Sequence, residues 1–124
     1  MTATPIAVEV VAIDGGAVVA VRGEVDLLTA DRLRDALCAA AAHHRLVVAD
    51  LSAVEFLSSS GLTALALAHR AAVAEGHELR VVATERVVLR PIEITGLAER
   101  FGVFASVRDA VAGLGPSGSA PVDG

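Results

Sequence analysis

The chain opens on two runs of β-branched residues, Ile6 to Ile13 and Ala17 to Arg22, separated by Asp14-Gly15-Gly16. Asp-Gly between two such runs predicts a β-hairpin, because the turn needs positive φ and Gly adopts it at least cost. Gly23 is expected to end the second strand. The period then changes. Thr29 stands at a capping position and Asp31 faces the positive end of a helix dipole. Leu33, Leu37 and Ala40 recur at helical spacing, so a helix is expected to run out by His43-His44-Arg45.

Leu46-Val47-Val48-Ala49-Asp50 is a nearly continuous apolar run, the pattern of a central strand buried on both faces. Residues 51–60 read as its connection. Gly61 to about Glu75 reads as a helix stopped by Gly76, with Leu62, Leu65, Ala66, His69 and Val73 as its buried stripe. Leu79 to Ala83 is the next strand. A helix from about Arg86 carries Pro91 in its first turns and ends at Gly96. Phe101 to Phe104 is a candidate edge strand, and Ser106-Val107-Arg108-Asp109 has capping-box form at the start of a last helix reaching about Ala112.

A hairpin followed by alternating helix and strand predicts an α/β layer fold, with one mixed sheet of about four or five strands and about four helices. Residues 1–113 are expected to form this single domain, and the Gly/Pro/Ser-rich residues 114–124 a flexible tail. The tail region contains Gly113-Leu114-Gly115-Pro116-Ser117-Gly118, a literal GxGxxG. A dinucleotide site needs that motif between a strand and a helix, and here it follows the last helix. It reads as tail.

Composition narrows the chemistry. The 124 residues include no Lys, Asn, Gln, Trp or Tyr. Without Lys there is neither a P-loop nor a Schiff base, and without Asn no Cys-His-Asn protease. Net charge is −5, a field that repels phosphate backbones, so no nucleic-acid partner is expected. The single cysteine, Cys38, can form no internal disulfide and suits a reducing compartment. No apolar run approaches the ~18 residues of a membrane span. Met1-Thr2-Ala3-Thr4-Pro5 lacks the basic segment of an export signal. A soluble, cytoplasmic domain without direct membrane insertion is the expectation.

Few side chains are spaced for chemistry. None of the pairs among His43, His44, His69 and His77 has the i,i+4 spacing of a zinc-binding helix face, so neither a metal nor another cofactor is expected. Ser58-Ser59-Ser60 differs in kind. The triplet precedes Gly61 and an amphipathic helix, where unpaired N–H groups and the dipole favour an anion. Capping uses one hydroxyl and leaves two to explain. A hydrolase elbow would need Gly at position 57, which is Leu57, and nothing in the sequence places a His as its base. A phosphate acceptor fits better, because a charge near −2 would transform a mildly apolar surface.

Three ordered segments resemble the STAS domain, in its bacterial anti-sigma factor antagonist form. Gly23-Glu24-Val25-Asp26 is similar to the family's turn after the second strand. Asp50-Leu51-Ser52-Ala53-Val54-Glu55-Phe56-Leu57-Ser58-Ser59-Ser60-Gly61-Leu62 resembles its phosphorylation loop. Ile94-Thr95-Gly96-Leu97, with Phe101, Val103 and Phe104, resembles its C-terminal motif, so the likeness spans about residues 6–113.

The resemblance implies a switch protein rather than an enzyme. It would bind an anti-sigma factor, itself a serine kinase of the histidine-kinase-like ATPase fold, and so free a sigma factor. Phosphorylation would end binding, and a serine phosphatase would restore it. Counted back from Gly61, the acceptor is Ser59, with Ser58 the alternative. Asp26, Ser58, Ser60, Gly61 and Leu62 would meet the partner. The family carries Asp just before the acceptor, and this chain carries Ser58. Two other readings stay open: an adaptor of a membrane transport or signalling complex, and an antagonist regulated without phosphate, through partner exchange or Cys38. The sequence leaves a homodimer among the options.

Overall fold

The computed structural model describes residues 6–112. The tail 114–124, its boundary near residue 113 and the Gly113–Gly118 motif lie outside the described residues. The hairpin forms from β1 (Ala7–Ile13) and β2 (Gly16–Val25), and Gly15 in its turn takes φ +81°. Next come α1 (Ala30–His43), β3 (Leu46–Leu57), α2 (Ser59–Ala74), β4 (Glu78–Val82) and α3 (Arg86–Ile94). A 3-10 turn (Leu97–Glu99), β5 (Val103–Phe104) and α4 (Val107–Ala112) complete the order. The five strands lie in one sheet in sequence order, antiparallel only between β1 and β2. This is the single mixed sheet with four helices that the alternation predicts.

Parallel neighbours added always in the same direction place their crossover helices on one face, because such crossovers are right-handed. Accordingly α1, α2 and α3 share a face. There Val19 and Val21 of β2, Val47 and Leu51 of β3 and Val81 of β4 pack with Leu33, Leu37, Leu65 and Ile92. Among the described residues the opposite face carries α4 alone, whose Ala110 meets Leu46, Val48 and Val82. Arg80 pins that helix: Nη1 donates to the Ala110 carbonyl at 2.6 Å, and its guanidinium lies 5.7 Å from the Phe104 ring centre.

Four local expectations are corrected. Strand β2 does not stop before Gly23, nor β3 at Asp50; they stay paired in parallel up to Val25↔Leu57. Gly23, at φ +107°, sits at a register shift inside the ladder. Gly within a strand marks a bulge as readily as an end. The α2 helix begins at Ser59, and its buried stripe is Gly61, Ala64, Leu65, Ala68 and Ala72, while Val73 is 56 % exposed. Small residues let α2 sit close to its neighbours, while Leu67 and Val73 turn outward. Thr29 occupies the α1 cap position, yet its side chain makes no capping bond.

Candidate functional site

Because β2 and β3 are parallel, their C-terminal ends and the N-termini of α1 and α2 emerge at the same end of the sheet. Ligands and partners of open α/β sheets meet the strands at such ends. A backbone bond ties the two junctions together: Ser58 N–H donates to the Val25 carbonyl at 2.8 Å. Gly61 completes the joint from within the first turn of α2. A Cβ there would lie 2.5 Å from Leu57 Cδ1 and 2.8 Å from Val25 Cγ1, so only Gly fits without displacement.

The turn into α1 uses up its own polar groups. Asp26 Oδ1 accepts from Leu28 N–H at 2.9 Å and Thr29 N–H at 3.1 Å. The buried Thr29 hydroxyl donates to the Glu24 carbonyl at 2.8 Å, lies 3.1 Å from Asp26 Oδ1, and accepts from Asp26 N–H at 2.9 Å. Asp26 is therefore held as the organiser of a turn, half-buried and with one carboxylate oxygen engaged.

The turn into α2 sorts the three serines. Ser58 is the cap, in extended backbone (φ −82°, ψ 175°), with Oγ accepting from Gly61 N–H at 3.3 Å. Ser59 is the first helical residue and is exposed, and its hydroxyl has no hydrogen-bond partner among the described residues. Ser60 is half-buried and faces α1. Leu62 is half-buried against the core and anchors the helix. The first turn of α2 holds no acidic residue, so its dipole end is not neutralised.

Apolar side chains border this end. Leu27 is 78 % exposed, Leu28 72 %, Phe56 45 % and Leu67 40 %. A groove of about 210 Å³ between α1 and α2 is lined by Leu27, Ala30, Arg34, Ser60, Thr63 and Leu67. Arg34 is tied to Asp35 at 2.9 Å and Asp31 at 3.3 Å, and hydrogen bonding to Asp35 followed by the Asp31 charge raises its pKa. Sequence reading passed over Leu27, Leu28 and Leu67 as site residues. Two consecutive leucines directly after a turn-forming Asp were the available signal, since a turn gives them little to pack against.

The remaining candidates fall elsewhere. Cys38 is half-buried on α1, and burial pushes its thiol up, with Arg34 opposing. Such a thiol is less ionised than a free one at neutral pH, the reverse of an activated cysteine. His77 Nδ1 lies 2.6 Å from the Ala41 carbonyl, and His69 packs edge-on against Phe101 with ring centres 5.7 Å apart. Among the described residues no group of three or more His, Cys, Asp or Glu is gathered that could hold a metal. No helix among them is long and apolar enough to cross a membrane.

An α/β domain that carries an exposed serine hydroxyl without a partner among the described residues, beside an apolar rim at the carboxyl end of its sheet, has the form of a regulatory binding module. Comparison with known proteins agrees. The STAS domain family model matches residues 7–110, and the chain belongs to this family. It is 40% identical over 102 residues to the anti-sigma-F factor antagonist RsfB of Mycobacterium tuberculosis, across 82% of this chain and 83% of that one. Among solved structures, an anti-sigma factor antagonist from Mycobacterium paratuberculosis superposes with TM-score 0.80 at 40% identity, covering 86% of this chain and 92% of that one. The anti-sigma factor antagonist SpoIIAA in its unphosphorylated form shares the fold, with TM-score 0.74 at 16% identity over 93% of this chain and 100% of its own. The two relatives at 40% identity are both anti-sigma factor antagonists, and SpoIIAA adds the likeness of fold.

Proposed function

We propose that this chain is an anti-sigma factor antagonist, which docks an anti-sigma factor at the end of the sheet where α1 and α2 begin and is released when Ser59 is phosphorylated. The observation that carries this reading is the division of labour among the serines. Ser58 is occupied as the cap, whereas Ser59 is exposed with an uncommitted hydroxyl. The antagonist relatives at 40% identity support the partner class.

Docking would bury the rim of Leu27, Leu28, Phe56 and Leu67 around the junction. Asp26 and Gly61 would act by shaping that junction, Ser58 by fixing the helix start, and Ser60 and Leu62 by presenting the first turns of α2. A partner kinase of the histidine-kinase-like ATPase fold would direct the Ser59 oxygen onto the γ-phosphorus of ATP. The O–P bond forms, the bond to ADP breaks, and the hydroxyl proton passes to a base on the kinase. A serine phosphatase would reverse the state by hydrolysis.

The energetics suit release without refolding. The helix N-terminus tolerates the new charge in the free domain. Inside an interface the phosphate must lose water without a matched cation, at a cost on the order of several kcal/mol, and each ~1.4 kcal/mol is tenfold in affinity. The test is capture from lysate of the source bacterium with wild-type and Ser59→Glu baits. Capture of an ATPase-fold anti-sigma protein by the wild type alone is expected, with the two melting temperatures within about 2 °C, since an exposed substitution costs within about 0.5 kcal/mol. Equal capture of that protein would remove the phosphate switch, and capture of transport subunits instead would overturn the antagonist reading.

A further inference from the structure

Along α2, away from Ser59, lies a second polar locus that the switch does not use. An open cleft of about 490 Å³ lies between α2 and the segment after α3, lined by Ala66, His69, Arg70, Thr95, Leu97 and Arg100. In a chain of net charge −5, two arginines and a histidine meet here with no acidic residue in the lining. Neither Arg70 nor Arg100 has a carboxylate within 4.0 Å among the described residues, in contrast to Arg34 and Arg80. Nor does either guanidinium donate a side-chain hydrogen bond there, although Arg32 and Arg80 both do.

The histidine is the more telling member. Its Nδ1 is buried with no hydrogen-bond partner among the described residues. A buried ring nitrogen without a partner is costly, so the imidazole has an unmet hydrogen-bonding demand at the wall of the cleft. The ring is held against Phe101, which fixes its direction. Thr95 contributes no donor, since its hydroxyl is spent on the Pro91 and Ile92 carbonyls at 2.8 and 3.1 Å. The cleft is thus lined by two guanidinium groups, which only donate, and one imidazole, with Ala66 and Leu97 as apolar members of the lining.

We propose that this cleft is an oxyanion-binding site, taking a carboxylate or phosphate group between Arg70 and Arg100 beside the His69 ring. Paired guanidinium groups match both anions through parallel N–H···O bonds. Two exposed arginines hold a free anion weakly, whereas an acidic side chain delivered by a docked protein arrives at high effective concentration. From Ser59 to Arg70 is about 16 Å along the helix at ~1.5 Å per residue, within the span of a standard interface. A partner covering α2 would therefore reach both.

The first arm titrates the purified domain with inorganic phosphate, and separately with acetate, at constant pH and ionic strength. The histidine ring signals are followed by NMR, and this arm is independent of the antagonist reading. A saturable shift confined to His69, with roughly millimolar affinity, is expected. It should weaken at least tenfold in the Arg70→Ala/Arg100→Ala double variant, whose amide spectrum checks that it folds. No saturable shift, or the same shift in the double variant, overturns the site.

The second arm measures affinity for the captured anti-sigma protein and so rests on the reading above. A tenfold or greater loss in the double variant, with the Ser59→Glu effect retained, identifies the anion as the partner's acidic side chain. Unchanged affinity together with phosphate or acetate binding identifies a free small anion.

Discussion

Helices α1 and α2 start side by side, each at the end of a parallel strand, yet their first turns are built on opposite plans. At α1 the side chains of Asp26 and Thr29 are turned onto the backbone of residues 24–29, and the Thr29 hydroxyl is buried. At α2 one serine caps, the next is exposed, and glycine lets the helix settle onto Leu57 and Val25. A turn that folds its polar side chains onto its own backbone is fixed in shape and turns mainly the exposed Leu27 and Leu28 outward. A turn that caps with one hydroxyl and carries another into solvent keeps a nucleophile in a defined place. The difference teaches that the first turn holds an apolar edge in a fixed shape, whereas the second carries an exposed hydroxyl.

Substitutions can break or sharpen that contrast. The largest stability effect is expected from Gly61→Val, which forces new atoms against buried Leu57 and Val25 and should cost about 2–3 kcal/mol in urea unfolding. If the domain tolerated it, the close seat of α2 would not be a constraint. Thr29→Val keeps the shape but strands the Glu24 carbonyl and the Asp26 N–H, a loss of about 1–2 kcal/mol in the same assay. Ser58→Ala removes one long capping bond and should cost about 0.5–1 kcal/mol. A Ser58 variant losing more than the Thr29 variant would invert the two plans.

Much of this architecture was legible in the chain. The hairpin followed from Asp14-Gly15 between β-branched runs, and the central strand from its unbroken apolar core. The serine triplet was legible as a helix start, because hydroxyl residues before a helix are capping chemistry. What escaped was three-dimensional. Gly23 read as a stop and became a bulge, since a positive φ can serve either purpose. The α2 stripe was misplaced because large apolar residues draw attention, while Ala64, Ala68 and Ala72 make the close contact. The exposed leucines of the rim carry no periodic signal, and for Leu27 and Leu28 the cue was their place directly after Asp26. The count back from Gly61 names Ser59 with Ser58 as the alternative, and the structure adds that Ser58 is the one that caps.

Mapping the phosphate itself is the measurement that bears most directly on the central claim. The wild-type domain, Ser58→Ala and Ser59→Ala would each be incubated with ATP and the captured anti-sigma protein, and the modified residue located by mass spectrometry. The account predicts one phosphate, on Ser59, in the wild type and in Ser58→Ala, and none in Ser59→Ala. Phosphate on Ser58 or Ser60 in the wild type, or incorporation that survives Ser59→Ala, would contradict it.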